Sequence, residues 1–146
     1  MGFVRARKDN NELTRIETGC RPLNELLEGG LLKRSVHLLV GGRRVTSQIL
    51  VSTAIHSQLA LEEGDRIVFV DANNRFNPYE ISKMAVRIGL NPQQALERIL
   101  ISRSFTWEQM VELLEHELGK LKQIPMILVS GLTRLLPDHE VRSLEG

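Results

Sequence analysis

The sequence predicts a parallel α/β sheet with helices on both faces, and three observations carry that prediction. Short β-prone apolar runs recur at residues 35–40, 67–70, 99–101 and 126–129. Stretches with apolar residues at helical spacing separate them. The runs are continuously apolar instead of alternating, as strands covered by helices on both sides must be. Ligands in such sheets bind beyond the carboxyl ends of the strands. Those ends read Gly41-Gly42, Asp71-Ala72-Asn73, Ser102-Arg103-Ser104 and Ser130-Gly131.

The elements follow in order. Residues 1–15 are polar and charged apart from Phe3, Val4, Ala6 and Leu13, and read as a flexible arm. The core is residues 16–146. Thr18-Gly19-Cys20-Arg21-Pro22 is a turn, and a short helix over residues 23–28 stops at Gly29-Gly30. The first strand, residues 35–40, leads into a helix that runs from about Thr46 to Leu61. Its apolar positions include Ile49, Leu50, Ala54, Ala60 and Leu61. After the second strand, Asn77-Pro78 opens a helix with Glu80 as capping-box partner, and Asn91-Pro92 opens a shorter one with Gln94 in that role. Beyond the third strand, Thr106 caps a long amphipathic helix whose apolar face is Met110, Leu113, Leu114, Leu118 and Leu121. The fourth strand closes the series. No internal repeat or low-complexity segment occurs.

Composition narrows the function classes. At 146 residues and 42% hydrophobic, the chain predicts one packed domain. The absence of a span-length apolar run or a secretory leader predicts no membrane association. A net charge of +1 gives no global pull toward nucleic acid. Cys20 is the only cysteine, which excludes an internal disulfide and suits a reducing compartment. His37, His56, His116 and His139 lack ligand spacing, so no metal site is expected.

The strand, glycine turn and helix at residues 35–61 have the layout of a phosphate-binding P-loop. A working loop reads G-x-x-x-x-G-K-[ST], so that backbone N–H groups wrap the phosphates and the lysine reaches the terminal ones. Here the segment reads Gly41-Gly42-Arg43-Arg44-Val45-Thr46-Ser47. It is one residue short, Val45 stands in place of the second glycine, Thr46 stands in place of the lysine, and only the hydroxyl of Ser47 is kept. Arg43 or Arg44 could grip a phosphate in the lysine's stead. Two solvated loop arginines is the better reading, because Val45 denies the close backbone approach a glycine allows.

Four motifs in order resemble the archaeal and eukaryotic branch of the RecA/RadA recombinase family. Residues 16–31, Ile16-Glu17-Thr18-Gly19 through Gly29-Gly30-Leu31, resemble the family's I-S-T-G-x-x-x-L-D-x-L-L-G-G-G-I, a stretch KaiC-like ATPases share. Val70-Asp71-Ala72-Asn73-Asn74-Arg75-Phe76-Asn77-Pro78 is similar to I-D-T-E-G-T-F-R-P. Gly89-Leu90-Asn91-Pro92 through Ile101-Ser102-Arg103-Ser104-Phe105 is similar to G-L-N-P-x-x-x-L-x-N-I-x-x-A-R-A-F, and Leu128-Val129-Ser130-Gly131-Leu132-Thr133 to I-V-D-S-L-T. The resemblance implies a RecA-like sheet of the P-loop NTPase type, truncated after the fourth strand. The departures fall on chemistry. The family's phosphate-binding lysine matches Thr46, its water-activating glutamate matches Asn73, and its magnesium-orienting aspartate matches Ser130. Asn73 cannot take a proton as a general base, and Ser130 lacks the charge that anchors magnesium.

The arm fits a further family element. In RadA-type filaments an F-x-x-A segment inserts its phenylalanine and alanine into pockets of the next protomer and adds a strand to its sheet, a form of β-augmentation. Phe3 and Ala6 match those anchors. Arg134 and Arg142 lie nearest the family's first DNA-binding loop. Phe105 matches a family position and is expected in the core, and Trp107 is either an interface anchor or a helix staple. The resemblance therefore implies a non-catalytic recombinase paralogue, a pseudo-ATPase without cofactor. It would bind a RadA-type recombinase, another paralogue or a second copy, and modulate homologous recombination and DNA repair. The alternatives are an ATPase that binds ATP and magnesium through an atypical loop, and an accessory module for single-stranded DNA. The expected location is cytoplasmic and nucleoid-associated, or nuclear in a eukaryote.

Overall fold

The computed structural model describes residues 15–136, so Phe3, Ala6 and Arg142 lie outside the described residues. Its centre is a three-stranded parallel sheet of β3 (Ile67–Asp71), β4 (Ile99–Ser102) and β5 (Met126–Ser130), ordered β4-β3-β5. Ile67 pairs with Ile99 on one side and Met126 on the other, and Asp71 pairs with Ser130 at the carboxyl end. A separate two-stranded antiparallel ribbon joins β1 (Arg15–Ile16) to β2 (Leu31–Leu32). Between them lies α1 (Arg21–Leu26). The ribbon needs Gly30, with φ of 124°, because a Cβ there would come within 2.2 Å of the Ile16 carbonyl oxygen.

All five residues of β3 are buried, and their side chains alternate between two cores. Ile67 and Phe69 face one core. There they meet Val51, Ala54 and Ile55 of α2 (Arg43–His56), Ile81 and Ala85 of α3 (Pro78–Arg87), and Ala95 of α4 (Pro92–Glu97). Phe69 and Phe76 meet there edge to face, with ring centroids 5.2 Å apart. Val68 and Val70 face the other core with Met110 of α5 (Trp107–Glu112). Helices thus cover both faces. The connection from β3 to β4 runs one way along the sheet and that from β4 to β5 runs back, so crossovers of one hand fall on opposite faces. Ile81 has no exposed surface. Ile81→Ala is expected to lower stability by about 2–3 kcal/mol by chemical denaturation. Tyr79→Ala on the exposed side of α3 should stay within about 0.5 kcal/mol.

Several expectations need correction. Residues 35–40 form no strand and pair with none among the described residues, and Val36, Leu38 and Val40 stand in solvent. A strand requires a neighbour, and none is present. α2 begins at Arg43, three residues before Thr46, and gives way at Ser57 to a 3-10 turn. α1 covers Arg21–Leu26 instead of residues 23–28. The helix after Thr106 is α only to Glu112, then widens to a π turn over Leu113–Glu117 and tightens to a 3-10 turn over Leu118–Lys120. That distortion leaves Leu114 and Leu121 partly exposed. The helix caps form, but Asn77 accepts from the Tyr79 amide, with no bond to Glu80 from its side chain among the described residues. Asn91 and Thr106 cap the amides three residues on. Phe105 is exposed, not core; Phe76 fills the interior instead.

Candidate functional site

The carboxyl ends of β3 and β5 converge on Asp71. Its carboxylate accepts the Arg75 amide at 3.1 Å and the Phe76 amide at 2.9 Å, which turns residues 72–76 back toward α3. The Ser130 hydroxyl donates to the same carboxylate at 3.3 Å, across 59 positions of sequence. Asp71 and Ser130 are both buried. The Ala72 amide bonds to the Ser130 carbonyl, and the Arg134 guanidinium donates to the Ala72 carbonyl at 2.8 Å. Gly131, at φ of 75°, lies against Asn73, so close that a Cβ there would come within 2.4 Å of the Asn73 side-chain oxygen.

The structure places Asn73 against Gly131, the residue after Ser130, and ties Ser130 to Asp71, which the sequence reading left out of its site residues. Asp71 is the hub. It was legible as an acid ending a wholly apolar strand. Arg134, read as a candidate DNA contact, braces the Ala72 carbonyl. A carboxylate in place of the Ser130 hydroxyl would face Asp71 in a buried setting. Ser130→Asp is expected to lower stability by about 2–3 kcal/mol, with a smaller loss for Ser130→Ala; equal unfolding midpoints would contradict this.

The glycine segment has a different geometry. Gly42 is the N-cap of α2, and residues 43–47 form the first turn of that helix. The Thr46 hydroxyl bonds back to the Gly42 and Arg43 carbonyls at 3.2 Å each. A Cβ on Gly42 would meet nothing within 4 Å, and one on Gly41 would meet only the Thr46 methyl at 3.5 Å. Arg43 and Arg44 are exposed and enter no ion pair among the described residues. The Ser47 hydroxyl is shielded from solvent and has no hydrogen-bond partner among the described residues. No hydrogen bond among the described residues links residues 41–47 to Asn73 or Ser130.

A second feature lies at the opposite edge of the sheet. β4 pairs only with β3, so its outer edge is unpaired among the described residues. Beside it runs an apolar groove of about 260 Å³. Val68, Leu100, Ile101, Leu113, Leu118 and Leu121 line it, with Glu117 at the rim. Lys120 reaches Glu117 at 2.7 Å, and that hydrogen bond, aided by the lysine's charge, holds the carboxyl below its ordinary range. Trp107 is half-buried at the start of α5. Among the described residues no cluster of three or more His, Cys, Asp or Glu could hold a metal ion, and no helix is long and apolar enough to cross a membrane.

The parallel sheet with helices on both faces, a glycine turn before α2 and polar residues at the ends of β3 and β5 define a RecA-like α/β protein. The chain belongs to the Rad51 family, whose family model, described as Rad51, matches residues 9–135. It is similar to the DNA repair protein RAD51 of Mycosarcoma maydis, at 28% identity over 144 residues that cover 92% of this chain and 42% of that protein. It is also similar to the DNA repair protein rhp51 of Schizosaccharomyces pombe, at 28% identity, covering 92% of this chain and 40% of that protein. The DNA repair protein RAD51 homolog A of Zea mays is 29% identical over 121 residues, 78% of this chain and 36% of that protein. The chain spans about two fifths of the length of the curated relatives it matches.

Proposed function

We propose that this chain is a non-catalytic Rad51-family paralogue. It binds a RadA-type recombinase or another paralogue and modulates homologous recombination and DNA repair. One observation carries the reading: the groups at the would-be catalytic positions bond to or lie against this chain itself. Ser130 is tied to Asp71, Asn73 packs against Gly131, and the Thr46 hydroxyl is bonded into the first turn of α2. In phosphoryl transfer the protein contributes mostly positioning and charge, and here the lysine, glutamate and aspartate are all replaced. Val45 in place of the second glycine blocks the close backbone approach a triphosphate needs, and no lysine reaches the terminal phosphates, so these residues fit ATP with magnesium poorly. The names of the relatives, DNA repair proteins, support the process. The unpaired edge of β4 and the groove beside it supply the acceptor that an F-x-x-A segment requires: a strand to extend and an apolar pocket for its phenylalanine.

Steady-state phosphate release with ATP and magnesium should stay at background. Release above it that disappears in an Arg43→Ala, Arg44→Ala double variant would overturn the reading, because those arginines would then be doing the lysine's work. Capture of a purified RadA-type recombinase by the full chain, compared with a chain lacking the first ten residues, tests the binding half. The second reading, an ATP-binding protein with an atypical loop, is favoured by the unpartnered Ser47 hydroxyl, the group that a bound magnesium would take. Equilibrium dialysis with ATP and magnesium separates the two readings, since the paralogue reading expects no saturable binding.

A further inference from the structure

We propose that Glu112 and Glu117, brought to one side by the π turn after α5, make the groove beside β4 select an F-x-x-A segment followed by cations, the chemistry of this chain's own arm on a second copy. This rests on the reading of that groove as an F-x-x-A acceptor, and adds what the acceptor prefers. In an α-helix, residues five apart lie about 140° apart around the axis. Over Leu113–Glu117 the backbone closes i to i+5 instead, with the Leu118 amide on the Leu113 carbonyl. That winding turns Glu117 back toward the side that carries Glu112. Lys120 reports on both. Its hydrogen bond to Glu117, at 2.7 Å, is the main cause that holds the ammonium above its ordinary range, and Glu112 adds to the effect from further off. His116 Nε2 lies 3.8 Å from Glu112 and 3.9 Å from Glu115. Three carboxylates thus share one ammonium and one imidazole, so negative charge is left over whether or not the imidazole holds a proton.

That charge sits where an occupant meets it. Among the described residues that line the groove, Glu117 alone is ionisable. No lysine or arginine occurs from Ser104 to Gly119, a stretch with four glutamates. Arg103 follows β4 at its carboxyl end, whereas the helix runs back along the sheet, so Glu117 and Leu118 lie toward the amino end of the groove. Such a rim repels nucleic acid and acid-flanked peptides, and attracts a cationic flank. The arm matches it. Phe3-Val4-Arg5-Ala6 is followed by Arg7 and Lys8, and no acid precedes Asp9. Ile16, where the arm joins the core, packs against one face of the sheet, while Val68, Leu100 and Leu113 of the groove belong to the other. The arm therefore leaves on the face away from its own groove, which directs it to the groove of another copy.

The test is fluorescence anisotropy with the full chain and fluorescein-labelled peptides. MGFVRARKDN, the sequence of residues 1–10, should bind saturably. MGFVRAEEDN keeps both anchors and reverses two charges; it should bind at least about tenfold more weakly, and the gap should narrow in high salt. MGAVRARKDN, without the aromatic anchor, should show no saturable binding. A Glu112→Gln, Glu117→Gln double variant keeps the size of both side chains. It should bring the first two peptides within about threefold of each other, with an unchanged circular dichroism spectrum. If the peptides with and without phenylalanine bind alike, or none binds, the groove is no F-x-x-A acceptor and the selection falls with it. Phenylalanine-dependent binding that ignores the flank leaves the acceptor standing and overturns the selection. A preference that survives in the double variant overturns the role of Glu112 and Glu117. Light scattering reads the second copy: self-association of the full chain is expected, dispersed by MGFVRARKDN and not by MGFVRAEEDN. A monomer at concentrations well above the dissociation constant of the arm peptide would overturn the second copy as occupant.

Discussion

Replacing Asp71 with alanine is expected to destabilise the fold by about 3–4 kcal/mol, the largest loss from any single polar substitution in the described chain. The substitution strips the acceptor from two backbone amides, Arg75 and Phe76, and from the Ser130 hydroxyl at once. Asp71 and Phe76 are buried, so water does not replace the lost acceptor at the Phe76 amide. Leaving a buried donor unmatched costs about 1–3 kcal/mol each before relaxation, and partial water entry at the Arg75 end recovers some of it. Asp71→Asn keeps one oxygen and should lose about half as much. Urea denaturation measures both. Hydrogen exchange at the Arg75 and Phe76 amides, slow in the parent and fast in the alanine variant, separates loss of this turn from a general softening. A loss under about 1 kcal/mol would mean that the loop holds itself and that Asp71 is no hub.

The second large effect concerns partner capture. Phe3→Ala should weaken capture of a RadA-type recombinase by roughly thirtyfold to several hundredfold, the usual consequence of removing a pocketed aromatic anchor worth about 2–4 kcal/mol. An extended segment gains its specificity from alternate side chains, so Arg5→Ala, pointing away from the anchors, should matter less. Both substitutions lie in the arm and should leave the unfolding midpoint unchanged. The reciprocal experiment uses this chain's own groove. Leu113→Glu would place a charge among Val68, Leu100 and Leu118 beside β4, and should abolish binding of an F-x-x-A peptide there. Equal capture by the parent and Phe3→Ala at limiting concentration would show that the arm makes no contact of consequence.

The departures of Thr46, Asn73 and Ser130 from the family pattern are visible as residues in the sequence. How those side chains are occupied is visible only in three dimensions. Ser130 reads in sequence as a missing aspartate, and in the structure as a donor to Asp71, 59 positions away. Arg134 reads as a surface cation near a DNA loop, yet its guanidinium finds the Ala72 carbonyl 62 positions back. Contacts at such separations depend on which strands lie side by side, and nothing in the local composition encodes that order. Phe105 and Phe76 make the same point for packing. Both follow strands and both match the family pattern, but only Phe76 is turned inward, because the loop that carries it is anchored on the buried Asp71.

What the sequence determined by itself is everything set by short-range physics. Continuous apolar runs marked β3, β4 and β5, since a strand covered on both faces must be apolar throughout. Asn77, Asn91 and Thr106 marked helix starts, since a side-chain oxygen there satisfies an amide that the helix cannot. The tertiary structure alone decided the fate of residues 35–40. Their composition favours a strand as strongly as that of β3 does, but a strand's hydrogen bonds belong to its neighbours. β3 lies between two partners and is buried, whereas residues 35–40 find none among the described residues and stay in solvent.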